Sequence, residues 1–321
     1  MQILGQIPTP EKYVSLMLDE VGYQEQLLGK TFIDNSCGDG NILVEAVKRY
    51  ISASKKEGYT GEIIKRNLEC DIFGYDIDKN AVNTTIKRLN EIAGKEELYD
   101  VRWNVQTADY LKTDANKYDY IVGNPPYITY HDLTKMQREY VKKNFISCQE
   151  GRFDYCYAFI EKSIKSLTAT GKMAYLITFS IFRNRFAFDL RKQLLEKLYK
   201  IIDLSGIEVF PNRTVGAAII ICKNENVEYV EYIHKEDKIN LIKKTSFNEK
   251  WVFESQPIAE KKFGDYFTVL NSVATLKNEV YLFEPERDDN NYYYFKEGKI
   301  EKVMAHTAVS PRSRRTNRNY K

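Results

Sequence analysis

The stretch that decides the fold is Thr31-Phe32-Ile33-Asp34-Asn35-Ser36-Cys37-Gly38-Asp39-Gly40-Asn41. Its first half, Thr31–Asn35, is apolar enough to predict a buried strand, and a helix is expected over Asn41–Ile51. Between them, Gly38 and Gly40 allow the backbone to turn tightly and to approach a ligand closely. Many strand-to-helix turns use glycine for geometry alone, so this turn by itself is weak evidence for a binding site.

Beyond this turn, apolar strands and amphipathic helices alternate as far as about residue 223. Further strands are predicted at Asp71–Tyr75, Val101–Thr107, Tyr118–Val122, Lys172–Thr178, Lys200–Leu204 and Val215–Cys222. Further helices are predicted at Asp78–Ile92, Tyr155–Leu167 and Phe186–Leu198. Repeated β-α alternation with apolar strands is typical of a parallel sheet covered by helices on both faces. One lysine-rich stretch, Ser52–Asn67, breaks the alternation and is interpreted as a solvated surface loop.

Polar residues follow the second and third predicted strands as well as the first. Asp76 and Ile77 follow the second strand, where an acidic residue can bind the ribose hydroxyls of a nucleoside. Asp109 and Tyr110 follow the third, where they could contact the amino group and ring edge of an adenine. Since the carboxyl ends of parallel strands meet at one edge of a sheet, these groups predict a nucleoside site there. No lysine or arginine stands in the glycine turn, which disfavours phosphate binding.

The fourth predicted strand ends in Asn124-Pro125-Pro126-Tyr127. Two prolines cannot continue a strand, so the segment also has a purely structural interpretation. As a functional site, the rigid prolines would direct a backbone carbonyl and the Asn124 side-chain oxygen to one point beside an aromatic ring. An exocyclic amine needs two such acceptors for its hydrogens while its nitrogen lone pair attacks. The position after a nucleoside-type site favours methylation of a planar amine or amide.

Composition bears on several other classes of function. The 321 residues, 43% of them hydrophobic, suit one large α/β domain plus a smaller appendage. No stretch is long and apolar enough to span a membrane, and the N-terminus lacks a signal-peptide pattern, so we expect a cytoplasmic protein. The five cysteines form no CxxC pair and the three histidines lie far apart, so no metal site is predicted. A net charge of +3 neither proves nor excludes nucleic-acid binding.

Taken together, the motifs resemble those of the gamma-type adenine-N6 DNA methyltransferases of restriction–modification systems, over nearly the whole chain. They match that family's leading cofactor motif, its three core cofactor motifs, its catalytic motif and its base-stacking segment, in this order: Thr9-Pro10, Asp34–Gly40, Asp76, Asp109, Asn124–Tyr127 and Val209–Val215. Gly264–Tyr281 resembles the opening of the family's C-terminal target-recognition region, although Asn271-Ser272-Val273 stands where many relatives have a glycine.

The resemblance implies a class I S-adenosylmethionine-dependent methyltransferase fold, which is a Rossmann-like α/β fold with a seven-stranded, mostly parallel sheet. A small C-terminal α+β or β-rich region would follow. Residues 1–225 would form the catalytic domain that binds S-adenosylmethionine, and residues 226–321 a linker with a short or partial target-recognition region. The implied cofactor-binding residues are Thr9, Pro10, Asp34, Ser36, Cys37, Gly38, Gly40, Asp76, Ile77, Asp109 and Tyr110.

The same resemblance implies how the reaction proceeds. The target adenine would be flipped out of double-stranded DNA and would stack on Tyr127 and Phe210. The catalytic residues would be Asn124, Pro125, Pro126 and Tyr127, with Asn124 and the Pro125 carbonyl accepting the two amino hydrogens. A restriction endonuclease or a separate specificity subunit is a candidate partner.

Other acceptors remain open as alternatives. The same tetrapeptide occurs in enzymes that methylate glutamine side chains in release factors, and related segments occur in guanine-N2 RNA methyltransferases. Both lack Thr9-Pro10 and Val209–Val215 in these places. Enzymes that methylate cytosine at N4 usually have serine at the position that Asn124 occupies in this chain. A DNA-binding module without catalysis is a further alternative, with Arg312–Arg318 as either a phosphate contact or a solvated end.

Overall fold

The computed structural model describes residues 8–210, 216–234, 239–248, 250, 251 and 253, together with the backbone of 295–296 and 299–300. Within this part the strands are β1 (Phe32–Asp34), β2 (Ile72–Asp76), β3 (Asn104–Thr107), β4 (Tyr118–Gly123), β5 (Leu167–Thr178), β6 (Leu198–Asp203), β7 (Ala217–Lys223), β8 (Tyr229–His234), β9 (Ile239–Lys243), β10 (Phe295–Lys296) and β11 (Lys299–Ile300). The α-helices are α1 (Glu11–Glu20), α2 (Asn41–Lys56), α3 (Gly61–Asp71), α4 (Lys79–Lys95), α5 (Lys135–Asn144), α6 (Cys156–Lys165) and α7 (Phe188–Lys197).

A nine-stranded sheet organises the described part of the chain, in the order β3-β2-β1-β4-β5-β7-β6-β8-β9. Strands β1 to β5 pair in parallel, whereas β7 runs antiparallel to both β5 and β6. The first seven strands in this order form the mostly parallel sheet that the sequence predicts. β8 and β9 extend its far edge, β8 parallel to β6 and β9 antiparallel to β8. β2 and β3 lie on one side of β1, and β4 and β5 lie on the other, so the strand order switches sides at β1. Because β1 pairs in parallel with both β2 and β4, the carboxyl ends of these three strands lie at the same edge of the sheet.

Two hydrophobic cores, one on each face of the sheet, hold the layers together. Phe32 and Ile33 are both fully buried, but Phe32 packs in one core and Ile33 in the other, because successive strand residues point to opposite faces. The first core is completed by α1, α2 and α4, and the second by α6 and α7. Burial on both faces explains why these strands read as continuous apolar runs.

The stretch Ser52–Asn67 is helical over most of its length, so its interpretation as a surface loop was wrong. Helix α2 continues to Lys56, and after a short turn α3 begins at Gly61. Buried Ile64 and Leu68 give α3 an apolar face despite its charged surface. Two buried positions one turn apart are enough to fix a helix against a core, although they leave little periodicity in the sequence.

The chain divides into two compact units, Met1–Ser255 and Gln256–Lys321. In the first unit, Trp251 and Phe253 pack into the second core, where Trp251 stacks on Phe182 at 5.7 Å. The sheet and its core therefore extend past residue 225, and the functional division predicted there stays a prediction. In the second unit, β10 and β11 pair antiparallel. Gly264–Tyr281 and Arg312–Arg318 lie outside the described residues.

Candidate active site

A cavity of about 320 Å³ opens at the sheet edge where β1, β2 and β4 end. Pockets of this size are large enough for small-molecule ligands. Its lining comes from the glycine turn, the tips of β2, β3 and β4, the residues before α1, and helices α5 and α6. The lining residues are Pro8, Thr9, Asp34, Asn35, Ser36, Cys37, Gly38, Asp39, Asn41, Ile42, Asp76, Ile77, Ala108, Asp109, Tyr110, Asn124, Pro126, Ile128, Gln137, Tyr155 and Phe159.

Most of the residues predicted from the sequence meet at this one cavity. Those that line it are Thr9, Asp34, Ser36, Cys37, Gly38, Asp76, Ile77, Asp109, Tyr110, Asn124 and Pro126. Five predicted residues are not part of the lining: Pro10, Gly40, Pro125, Tyr127 and Phe210. The predicted cofactor motifs and the predicted catalytic motif therefore share a single space.

The glycine turn is held by bonds to the neighbouring strand and helix. The Cys37 amide donates to the Tyr75 carbonyl at 2.9 Å, and the Gly38 amide to the Asp76 carboxylate at 2.9 Å. The other Asp76 oxygen accepts the Asp78 amide at 2.9 Å. The Thr85 hydroxyl donates to the Gly38 carbonyl at 2.7 Å. Asp76, predicted to bind a ribose, thus also fixes the turn that carries the rest of the site.

The two glycines of the turn serve different purposes, although both have positive φ angles, +49° at Gly38 and +83° at Gly40. A Cβ at Gly40 would lie 2.7 Å from the Thr85 side chain, so only glycine lets α2 and α4 pack here. A Cβ at Gly38 would meet no atom within 4 Å. Gly38 therefore leaves space free in the cavity, as a closely approaching ligand requires.

Acidic side chains dominate the electrostatics of the cavity. Asp34 is only 1% exposed, and burial, together with the charge of Asp76, raises its pKa to about 8. The Ser36 amide donates to the Asp34 carboxyl at 3.2 Å and partly offsets that rise. Burial also raises the pKa of the Cys37 thiol. Among the described lining residues there are four aspartates and no lysine or arginine, so the cavity suits a cation and hydroxyl groups better than phosphates.

The segment before α1 closes one side of the cavity. Thr9 is buried, and its carbonyl accepts a bond from the Asn41 side chain at 3.1 Å. Arg88 on α4 donates to the Asn41 side-chain oxygen at 2.8 Å and also bonds the Asp39 carbonyl. Pro10 directly precedes α1 and starts it. Asn41, which directly follows the glycine turn, thus links that turn to the predicted pair Thr9-Pro10.

The predicted catalytic tetrapeptide is bonded directly to the glycine turn. The Ser36 hydroxyl donates to the backbone carbonyl of Asn124 at 3.2 Å. Asn124 and Pro126 line the cavity, and Pro125 between them is buried. The tetrapeptide begins directly after β4, which pairs with β1 in register, so the two motifs follow adjacent strands. This places the Asn124 amide at the same cavity as Asp34 and Gly38.

Tyr127 and Phe210, the two rings predicted to stack on a target base, lie beside each other. Their centroids are 6.4 Å apart with an interplanar angle of 64°. The Tyr127 hydroxyl donates to the Leu176 carbonyl at 2.9 Å, and burial raises the Tyr127 pKa. Phe210 is only 2% exposed, so its ring must be uncovered before a base could stack on it. The following residues, 211–215, lie outside the described part of the chain.

Ten lining residues are not among the predicted site residues: Pro8, Asn35, Asp39, Asn41, Ile42, Ala108, Ile128, Gln137, Tyr155 and Phe159. Asn35 is 2% exposed, and its side-chain amide donates to the Ser163 hydroxyl at 2.9 Å and to the Tyr175 hydroxyl. Its position between Asp34 and Ser36 was a usable signal. The aromatic pair at 155 and 159 has helical spacing, which in a sequence is indistinguishable from an ordinary core face.

The residues present fit S-adenosylmethionine, which carries an adenosine, a sulfonium cation and an amino acid. The acidic lining suits the cation, and the open space at Gly38 accommodates a close approach of the ligand. Ile77 is 56% exposed beside Asp76, which gives an apolar surface next to a carboxylate. An adenosine needs that combination, an apolar contact for its base and an acceptor for its ribose.

Comparison with known proteins identifies the family. The profile of the Eco57I restriction-modification methylase family matches residues 50–210, which is half of the chain. The chain belongs to this family. The membership of a restriction–modification methylase family that the motifs predict is thereby confirmed. Among curated relatives, the Type II methyltransferase M.BstVI of Geobacillus stearothermophilus is 25% identical, over 89% of this chain and 61% of its own length.

Solved structures share the fold of this family member. A type I restriction-modification system methyltransferase subunit from Streptococcus thermophilus aligns with a TM-score of 0.54 and 20% identity, over 72% of this chain and 48% of its own. A Listeria monocytogenes protein provisionally described as a class I S-adenosylmethionine-dependent methyltransferase aligns with a TM-score of 0.50 and 18% identity, over 71% of this chain and 64% of its own.

These matches confirm the predicted fold class, and fold and family together confirm S-adenosylmethionine as the methyl donor. The chain spans less than two thirds of the length of each of these three proteins. None of the helices in the described part of the chain is long and apolar enough to cross a membrane.

Proposed function

We propose that this protein transfers the methyl group of S-adenosylmethionine to the exocyclic N6 amino group of adenine in double-stranded DNA. The observation that carries the proposal is the 3.2 Å bond from the Ser36 hydroxyl to the Asn124 carbonyl. It joins the cofactor turn to the catalytic tetrapeptide, so an amine held by Asn124 would lie beside the donor. Membership of the restriction–modification methylase family supports DNA as the substrate.

In this proposal Asn124 and Pro125 orient the amine. The Asn124 side-chain oxygen and the Pro125 carbonyl accept the two amino hydrogens, which directs the nitrogen lone pair toward the cavity. When bound, S-adenosylmethionine supplies an already activated methyl group. Orientation of the amine therefore provides much of the catalysis, and no strong general base is needed. After transfer, the nitrogen releases one proton to water.

The target adenine has to leave the duplex to reach Asn124. Flipping costs a few kcal/mol, and stacking on an aromatic ring returns about 1–3 kcal/mol per contact. Tyr127 and Phe210 are adjacent and can supply that stacking, provided that the buried Phe210 ring becomes accessible when DNA binds. The Phe210 ring would be uncovered in the DNA-bound state.

We also propose a cellular location and partners for the protein. As the modification component of a restriction–modification system, the protein would act in the cytoplasm, where cellular DNA is found. A restriction endonuclease or a separate specificity subunit would be its partner, since relatives include a methyltransferase subunit of a type I system.

Replacement of Asn124 tests the proposal. Asn124→Ala removes one acceptor for the amine, and we expect methyl transfer to fall at least about 100-fold, in line with the loss of a key orienting group. Affinity for S-adenosylmethionine, measured by calorimetry, should change little. Tritium transfer to unmethylated plasmid DNA measures the activity.

The matched control is Asn83→Ala, because Asn83 is an exposed asparagine on α4. This variant should retain wild-type transfer. Wild-type activity in Asn124→Ala would refute the assignment of Asn124, and equal losses in both variants would show that the effect is not specific to the site.

A further inference from the structure

Lys162 on α6 has its side-chain amine bonded entirely to the turn that follows β3. The amine donates to the Tyr110 carbonyl at 2.5 Å, to the Thr113 carbonyl at 2.7 Å and to the Thr113 hydroxyl at 3.2 Å. An ammonium has three hydrogens, so these bonds use its full donor capacity. The same amine lies 4.6 Å from the centre of the Tyr110 ring, within cation–π distance.

One face of α6 holds both the backbone and the side chain of Tyr110. Phe159, Lys162 and Ser163 occupy positions i, i+3 and i+4, which lie together on a helix surface. The Phe159 ring is 5.7 Å from the Tyr110 ring, and the Ser163 and Tyr110 hydroxyls are 3.2 Å apart. Tyr110 is buried and its rotation is therefore restricted from three directions.

The turn held in this way includes the predicted adenine contacts. Asp109 and Tyr110 both line the cavity, and the Asp109 carboxylate accepts the Leu111 amide at 3.1 Å within the turn. Burial lowers the pKa of Lys162, while the charges of Asp109 and Asp114 act against that shift. A lysine stays in this half-buried place because the carbonyl oxygens around it replace water.

We propose that Lys162 is a positioning residue that holds Asp109 and Tyr110 in the geometry that recognises the adenine base of the cofactor. Lys162 does not line the cavity and acts only through the turn. The inference rests on the proposed function, because it assumes that adenosine occupies this part of the cavity. If Lys162 has this role, its loss does more than weaken binding of the adenine-containing ligand. It also reduces the preference of the cavity for adenine over other purines.

The experiment compares two probes by calorimetry, S-adenosylhomocysteine and its analogue with hypoxanthine in place of adenine. The wild-type protein should bind the adenine compound more tightly, because hypoxanthine lacks the exocyclic amino group. In Lys162→Met, which keeps the length of the side chain but no donor, we expect binding of S-adenosylhomocysteine to weaken about tenfold, equivalent to the loss of ~1.4 kcal/mol. Binding of the hypoxanthine compound should weaken much less, so the ratio of the two affinities falls.

A structural role alone would weaken both probes equally and leave that ratio unchanged. Lys162→Arg, which restores the cation and its donors, should recover part of the ratio. The matched control is Lys117→Met, because the exposed Lys117 also donates to a backbone carbonyl, that of Lys165, but does not touch Tyr110. This control should keep the wild-type ratio. If Lys162→Met does not fold, Lys162→Gln replaces it, and the same fall in the ratio is expected.

The possible outcomes separate this inference from the function on which it rests. A wild-type protein that binds neither probe would contradict the proposed function itself. A wild-type protein that discriminates between the probes, with an unchanged ratio in the folded Lys162 variants, would overturn the role of Lys162 alone.

Discussion

Asp34, at the end of β1, is a residue whose position in the site the sequence predicts. The charge state of its carboxyl could not be predicted from the sequence. The motif predicts that Asp34 binds the cofactor, and the structure places Asp34 in the lining of the cavity. Its 1% exposure and the neighbouring Asp76 depend on the whole fold, and they raise its pKa to about 8. A bound cation would lower that pKa again, because it stabilises the charged form.

The raised pKa of Asp34 predicts a dependence of stability on pH. Between the unfolded pKa of 3.8 and the folded value of about 8, the folded protein binds a proton that the unfolded chain has lost. The contribution of Asp34 to stability therefore falls as pH rises through this window, by up to ~1.4 kcal/mol per pH unit. Asp34→Asn abolishes this titration. We expect the variant to gain stability relative to the wild type between pH 5 and pH 8.

Urea unfolding at several pH values measures this difference in the free energy of unfolding. Asp114→Asn, at an exposed position, serves as the control and should follow the wild-type pH dependence. A difference between Asp34→Asn and wild type that stays constant from pH 5 to pH 8 would contradict burial of a neutral Asp34.

Among the elements, strands were easier to predict from the sequence than helices. β2 and β4 lie within one residue of their predicted bounds, because strands buried on both faces read as apolar runs between polar turns. α3 was missed because only Ile64 and Leu68 mark its apolar face among charged neighbours. Most of the site residues at strand tips were predictable from the sequence. Gln137 was not, because it reaches the cavity only through the packing of α5.

The turn between β1 and α2 gives a prediction at this scale. Gly40→Ala places a Cβ 2.7 Å from Thr85 in a backbone conformation that L residues avoid. Gly58→Ala, with φ +87° and no atom within 4 Å of the new Cβ, is the matched control. We expect the control to lose about 1–2 kcal/mol from backbone strain alone. Gly40→Ala should lose a further ~1–3 kcal/mol from overpacking. Thermal and urea unfolding measure both, and equal losses would show that Thr85 does not restrict this turn.

For the whole molecule, catalysis and sequence recognition differ in how far they could be predicted. The cavity forms within the compact unit that ends at Ser255, and Trp251 and Phe253 complete the core of that unit. Their role could not be read from the sequence, since they lie after the last β-α alternation. The recognition region predicted at 226–321 stays a prediction, and contacts to base edges would determine the DNA sequence that it recognises.

The identity of the methylated nucleoside tests the proposed function most directly. Purified wild-type protein is incubated with unmethylated plasmid DNA and S-adenosylmethionine that carries a deuterated methyl group. The DNA is then digested to nucleosides and analysed by mass spectrometry. We predict a deuterated methyl group on the N6 position of deoxyadenosine, and its absence in Asn124→Ala. Label on N4 of deoxycytidine, or no label in DNA from a wild-type protein that binds the cofactor, would contradict the proposal.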